Sequence, residues 1–279
     1  MLELIVYGVL LVLLVQMFRL WMADGDLSLM WYERFGQSPA RLASKVVWIT
    51  GASSGIGEAL AVEMSKVGAK LVLSARRKEE LERVKQTCVE TGKVADKDVL
   101  VVPLDSVAHD THAGCVERVL AHFGKVSLTK AVLPHMMERG EGQIVVTGST
   151  SGMIAEAGLS AYCGSKFALR GFYGALRAEL HSSDIDVLLV CPGPVETNVV
   201  QNAMVGDPDK DPKLDPSHAN DVSAPRCAQL FMVAMANRLE EVWISRNPWL
   251  TYAYLVSYLP FIGNRMMKTL AKRPTKKKQ

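Results

Sequence analysis

Apolar residues crowd the start of the chain: positions 4–22 read LIVYGVLLVLLVQMFRLWM, interrupted only by Gln16 and Arg19 near the downstream edge. A helix of that length is about long enough to cross a bilayer, with Trp21 at an interfacial position. The pattern predicts a membrane anchor or signal-anchor over 1–22. A cleaved signal peptide is the rival, but Glu3 precedes the run and no A-x-A site follows it. A buried core helix is a second rival. Arg19, Arg34, Arg41 and Lys45 outnumber the basic residues ahead of the segment, which places the main domain on the cytosolic side. Residues 23–44 then read as a polar connector with Gly25, Gly36 and Pro39.

From residue 45 the pattern alternates between two periods. β-branched runs at 46–50 (VVWIT), 70–74 (KLVLS) and 98–103 (DVLVVP) predict strands, with helices over 59–67, 78–90 and 111–123 between and after them. Further strands are expected at 143–147, 186–191 and 242–245, and a long helix over 161–181. Strands alternating with helices of 10–15 residues predict a parallel sheet in an α/β fold. The Asp- and Pro-rich stretch 199–220 lacks periodicity and reads as a loop. The aromatic stretch 249–262 is short for a crossing and reads as an interfacial or docking helix. The domain plan is therefore an anchor (1–22), a connector (23–44), a catalytic domain (45–248), and an aromatic segment with a basic tail (249–279).

Composition adds one core's worth of apolar residues, 49% of 279. The net charge of +3 is misleading, because seven Lys and Arg follow Asn264 without a single acid, and +3 less +7 leaves −4 elsewhere. The basic balance belongs to the tail and implies no nucleic-acid surface. Lys276 and Lys277, fourth and third from the end, match a dilysine signal for retrieval to the endoplasmic reticulum, although a basic tail beside acidic lipid is an equal reading. The five cysteines show no C-x-x-C spacing and the six histidines no metal spacing, so no metal is expected.

Three clusters carry chemistry. Thr50-Gly51-Ala52-Ser53-Ser54-Gly55-Ile56-Gly57 lies between a predicted strand and helix. There glycines permit a tight turn and close approach of a pyrophosphate, whose charge suits the helix N-terminus. The second strand ends in Ser74-Ala75-Arg76-Arg77. An acid there would bind a ribose hydroxyl; guanidinium groups suit a ribose 2′-phosphate, so NADP(H) is the expected cofactor, with a solvated helix start as the plainer reading. Tyr162 and Lys166 stand four residues apart and project from one helix face. A phenol ordinarily titrates near pH 10, and a neighbouring ammonium favours its phenolate, which suits proton exchange. Ser149, at the end of a predicted strand, is positioned to hydrogen-bond the reacting oxygen.

These motifs, with LVLSARR, SLTKAVLPHM, YCGSKFALRGF and CPGPVETN, resemble the short-chain dehydrogenase/reductase superfamily nearly from end to end. The resemblance implies a Rossmann-like, doubly wound parallel sheet and hydride transfer between NADP(H) and a carbonyl or alcohol. It maps Tyr162 as acid/base, Lys166 as pKa tuner and ribose ligand, and Ser149 as carbonyl polariser. It further implies that Thr50, Gly51, Ser53, Ser54, Gly55, Ile56 and Gly57 cradle the phosphates and that Asp105 matches the adenine side. Pro192, Gly193 and Thr197 match the segment beside the nicotinamide. Apolar carbonyls or alcohols (steroid, retinoid or xenobiotic), the endoplasmic reticulum membrane and a homodimer are implied as substrate, location and assembly.

One block of the family pattern is missing. A fourth strand, its Asn-Asn-Ala-Gly turn and half a helix should precede SLTKAVLPHM, yet His122-Phe123-Gly124-Lys125 runs straight into Val126-Ser127-Leu128. The catalytic Asn of the family goes with it, and the helix that usually forms the dimer interface is shortened. The expectation is a sheet lacking a central strand, rescued only if 143–147 slides over to pair with the first strand. The alternative function is a catalytically silent, membrane-bound isoform retaining partial nucleotide binding or an interaction role. A sugar-nucleotide epimerase, which would share the Tyr-Lys pair, needs a larger substrate domain than the chain has room for after Thr197.

Overall fold

The computed structural model describes residues 2–105, 108, 114–115, 118–119, 122, 129–197 and 221–271. The helix expected over 111–123 lies largely outside these residues, and the loop 199–220 and the tail from 272 wholly so.

The α/β core alternates as the sequence predicts. Strand β1 (Val46–Thr50), β2 (Lys70–Ser74) and β3 (Val99–Val101) form one parallel sheet in the order β1-β2-β3. Strand β4 (Glu141–Thr147), β5 (Asp184–Pro192) and β6 (Glu241–Ile244) form a second, in the order β4-β5-β6. Preceding them are helix α1 (Leu2–Trp21) and helix α2 (Leu27–Phe35). Helix α3 (Gly55–Lys66) follows β1, and α4 (Lys78–Thr91) follows β2. Helix α5 (Thr129–Arg139) leads into β4, and α6 (Ser160–Glu179) joins β4 to β5. Helix α7 (Ala224–Ala236) precedes β6, and α8 (Trp249–Tyr258) and α9 (Pro260–Ala271) end the described chain.

The expected rescue does not occur. β4 stays in seven-residue register with β5, from Glu141↔Asp184 to Thr147↔Val190, and among the described residues β1 pairs only with β2. Lys70 N–H donates to Lys45 O at 2.9 Å, and the alternation of a parallel ladder then turns the backbone groups of Val46, Trp48 and Thr50 away from β2. β4 ends its own sheet, with β5 on one side and no strand described on the other.

The sheets are joined instead by two apolar layers that both of them share. On one face Leu71 and Leu73 of β2 pack in one core with Leu188 and Val190 of β5, under Met64 of α3 and Phe231 of α7. On the other, Val72 shares a core with Ile144, Val146, Val187 and Leu189, beneath Val132 and Met136 of α5 and Leu176 of α6. Consecutive strand residues thus serve opposite faces, the period-2 signature of a sheet covered on both sides.

The segment expected to be a loose connector is ordered. Asp26 N-caps α2 by accepting from Leu29 N–H at 3.0 Å, and Leu29 is fully buried. The Asp26 carboxylate also accepts from Trp243 N–H at 2.5 Å while Asp26 N–H donates to Trp243 O, so the connector docks on the edge of β6. The predicted anchor coincides with α1, one 20-residue helix whose described side chains from Val6 onward are exposed. Among the described residues, however, no helix is long and apolar enough to cross a membrane, so the structure does not establish the anchor.

Candidate functional site

Both sheets end their strands toward the candidate site, as open α/β sheets do. At the end of β1, Gly51 (φ 71°) and Gly55 (φ 61°) take the left-handed backbone that side chains disfavour. Gly57 answers a different demand: a Cβ there would lie 2.4 Å from Gly51 O, so the start of α3 packs directly on the turn. Ser54 N-caps α3 without a side-chain hydrogen bond, so its hydroxyl does not occupy the N–H groups of the first turn. Ser53 is buried and Thr50 exposed, while Ile56 packs on the shared core. A cleft of about 430 Å³ beside the turn is lined by Gly55, Glu58, Glu63, Glu196 and Thr197. Glu58 is held by Arg83 at 2.8 and 3.1 Å, which offsets one of the carboxylates beside the turn.

Arg76 and Arg77 are exposed beyond β2, with Arg77 as the N-cap residue of α4. Asp105 is exposed beyond β3, and its carbonyl accepts from Ala108 N–H.

In the second sheet, Tyr162 and Lys166 lie in the first two turns of α6, with Lys166 Nζ 5.7 Å from the centroid of the Tyr162 ring. Tyr162 is 44% exposed. Lys166 Nζ donates to Thr147 O at 3.2 Å, and burial pushes its pKa below the ordinary 10.5. Beneath it lies the Cys191 thiol, pushed up to about 12 chiefly by burial and thereby kept neutral. Ser149 is buried and N-caps a 3₁₀ turn (Thr150–Gly152), its Oγ accepting from Ser151 N–H at 3.1 Å.

Residues the sequence reading passed over hold this arrangement. A Cβ on Gly152 would sit 3.0 Å from Lys166 O, so this glycine lets the turn bearing Ser149 press against α6. Cys163 Sγ accepts from Glu156 N–H at 3.4 Å and donates to Ile154 O at 3.8 Å, tying the loop after the turn to the residue beside Tyr162. Glycine and cysteine here carry a packing role that no spacing rule signals.

The stretch after β5 connects the halves. Pro192 is buried, and Gly193 N–H donates to Ile244 O at 2.8 Å. A Cβ on Gly193 would lie 2.3 Å from Ser245 Oγ and 3.6 Å from Thr150 Oγ1, next to Ser149. Four residues on, Thr197 Cγ2 lies 3.3 Å from where a Cβ on Gly55 would stand. The segment 192–197 thus reaches from the serine turn to the glycine turn across the interrupted sheet. Among the described residues, no group of three or more His, Cys, Asp or Glu is placed to hold a metal ion.

Comparison with known proteins agrees with this geometry. The family model described as short chain dehydrogenase matches in two stretches, residues 45–128 and 122–206, which meet where the fourth strand is missing. Dehydrogenase/reductase SDR family member 7 of Homo sapiens is 42% identical over 309 residues, covering 96% of this chain and 91% of its own. Two solved structures share the fold. A short-chain dehydrogenase/reductase from Burkholderia phymatum in complex with NAD has TM-score 0.67 and 21% identity, covering 84% of this chain and 97% of its own. L-sorbose reductase from Gluconobacter frateurii, complexed with NADPH and L-sorbose, has TM-score 0.61 and 22% identity over 73% of this chain and 96% of its own. The chain belongs to the short-chain dehydrogenase/reductase family of oxidoreductases.

Proposed function

We propose that the chain is an NADP(H)-dependent oxidoreductase acting on an apolar carbonyl or alcohol, with Tyr162, Lys166 and Ser149 as its catalytic residues. The observation that carries the reading is the placement of a lysine ammonium beside a tyrosine ring on α6, with 192–197 leading from that site to the glycine turn.

The residues present fit a nicotinamide dinucleotide. Gly51 and Gly55 bend the backbone, a Cβ would close the approach at Gly57, and the start of α3 presents N–H groups suited to a pyrophosphate. Thr50, Gly51, Ser53, Ser54, Gly55, Ile56 and Gly57 would hold the phosphates, and Arg76 and Arg77 the ribose 2′-phosphate. Asp105 would border the adenine, with Pro192, Gly193 and Thr197 beside the nicotinamide. When bound, NADP(H) supplies or accepts the hydride.

The protein's part is proton handling and orientation. Ser149 Oγ accepts from a backbone N–H, which leaves its O–H to donate to a substrate oxygen and polarise the carbonyl. Tyr162 gives the alcohol oxygen its proton in reduction and removes it in oxidation. Lys166, fixed by Thr147 O, holds its ammonium beside the phenol ring, where it would also bind the ribose of the cofactor. Membrane association through α1 belongs to the same reading, supported by the apolar run 4–22 and by the exposure of its described side chains from Val6 to Trp21. The endoplasmic reticulum membrane is the proposed location, and a homodimer weakened by the shortened α5 the proposed assembly.

The unpaired edge of β1 favours a second reading, the silent membrane-bound isoform, because missing ladder bonds weaken the strand that carries the glycine turn. Fluorescence titration of the full chain with NADPH, followed by a hydride-transfer assay on the wild type and Tyr162→Phe, separates the two. Saturable binding with turnover that the variant loses supports the enzyme; no saturable binding, or binding without turnover, moves the assignment to the silent form.

A further inference from the structure

The corner between α8 and α9 is the most exposed apolar feature near the C-terminus. Residues 257–262 are all exposed, with Tyr258 at 72% and Phe261 at 80%. The corner is tight, because a Cβ on Gly263 would lie 2.7 Å from Val256 N; the two helices pack closely and push Leu259, Phe261 and Ile262 outward. The base of the corner is firm: Trp243 packs 5.0 Å from Tyr254, and Tyr254 stacks on Tyr258 at 6.1 Å between ring centroids. Four apolar or aromatic residues, Tyr258, Leu259, Phe261 and Ile262, held outward on this base carry a cost in water that a covering surface would remove.

Its position identifies that surface. Asn247, just ahead of α8, donates from Nδ2 to Leu20 O and Trp21 O, taking up carbonyls of the last turn of α1. Tyr254 OH accepts from Leu27 N–H at 2.9 Å, and a cleft of about 360 Å³ lined by Met17, Leu20, Trp21, Leu250 and Tyr254 separates the helices. The end of the apolar helix α1 and the aromatic corner are therefore joined. Charge decides between occupants. Arg265 and Lys268 are exposed on α9, and the sequence adds five more Lys and Arg after it with no acid. A second copy docked through the same corner would set like charges against each other, whereas an anionic lipid surface complements them.

We infer that the α8–α9 corner, led by Tyr258, Leu259, Phe261 and Ile262, inserts into the interfacial layer of an anionic membrane, with Arg265 and Lys268 on the headgroups. This deepens the membrane reading above, and rests on it. The domain is then held at two points, which fixes its orientation on the bilayer instead of leaving it on a tether.

The test uses the full chain reconstituted in phosphatidylcholine vesicles containing or lacking phosphatidylserine, with nitroxide lipids as quenchers. An environment-sensitive fluorophore is placed on Phe261→Cys, on Val9→Cys in α1, or on exposed Glu82→Cys in α4; all five native thiols are buried. The inference expects nitroxide quenching at 9 and 261 but not at 82, with quenching at 261 strengthened by phosphatidylserine and weakened by salt. Quenching at 9 with none at 261 overturns it and leaves the anchor standing. No quenching at either site removes the anchor reading and this inference together. Emission at 261 that shifts with protein concentration, without lipid quenching, identifies a second copy of the chain and also overturns it.

Discussion

Lys166 Nζ stands 5.7 Å from the centre of the Tyr162 ring, anchored on Thr147 O, in a setting where burial chiefly lowers its pKa. Desolvation therefore sets its titration, and the sign follows. With the folded pKa below the unfolded 10.5, the folded protein releases this proton first, so stability rises with pH between the lowered value and 10.5. Lys166→Met removes that rise. Thermal melts of both proteins across mildly alkaline pH should converge or diverge accordingly: the wild type gains on the variant as pH increases.

Arg76 and Arg77 bear on cofactor choice. A charge-assisted hydrogen bond contributes about 1.5–3 kcal/mol. Replacing both with Ser should therefore weaken NADPH binding roughly 10- to 100-fold or more while leaving NADH binding nearly unchanged. Equal losses for the two cofactors would assign the arginines to fold or solubility. Titrating each cofactor against both proteins measures the ratio.

Glycines divide by what surrounds them. Gly57→Ala forces a Cβ against Gly51 O, a backbone atom that cannot give way, and should abolish NADPH binding. Gly193→Ala strikes Ser245 and should disturb the segment leading to Thr197. Gly174, inside α6, has open space where its Cβ would go, so Gly174→Ala should stabilise the protein by about 0.5–1 kcal/mol in denaturant unfolding.

Asp26 ties the N-terminal connector to β6. Burial raises its pKa despite acceptance from Leu29 and Trp243 N–H. Asp26→Asn turns one acceptor into a donor and should cost about 1–3 kcal/mol. Because the folded pKa lies above 3.8, the wild type gains stability as pH falls through it, whereas Asn at this position does not titrate. The gap between the two should widen toward acid, as urea midpoints at several pH values would show.

The chemistry-bearing part of the fold was the most legible. The strand–glycine turn–helix run from Val46 and the Tyr162/Lys166 pair occupy the elements the periodicity assigned, because turn chemistry and helical spacing are local. Elements that depend on distant partners were not. Helix α2 hides in a polar segment and is secured by Asp26 reaching Trp243, 217 residues away. Helix α7 is buried on nearly every side, so no polar stripe betrays its period. The rescue of β1 by β4 was expected from ladder bonds alone. The structure keeps β4 on β5 and joins the halves through side-chain layers, which a count of backbone hydrogen bonds does not reveal.

Hydride transfer from bound NADPH, with the proton supplied by Tyr162, is the central step of the proposed function. Incubating the full chain with NADPH deuterated at the nicotinamide C4, together with a panel of apolar ketones and aldehydes, and weighing the alcohol products by mass spectrometry addresses it directly. The account predicts a deuterium-bearing alcohol from the wild type, and from Tyr162→Phe a loss of about 10²–10⁴-fold in its rate of formation with NADPH binding intact. Saturable NADPH binding without deuterium reaching any product, or equal rates from the two proteins, would contradict it.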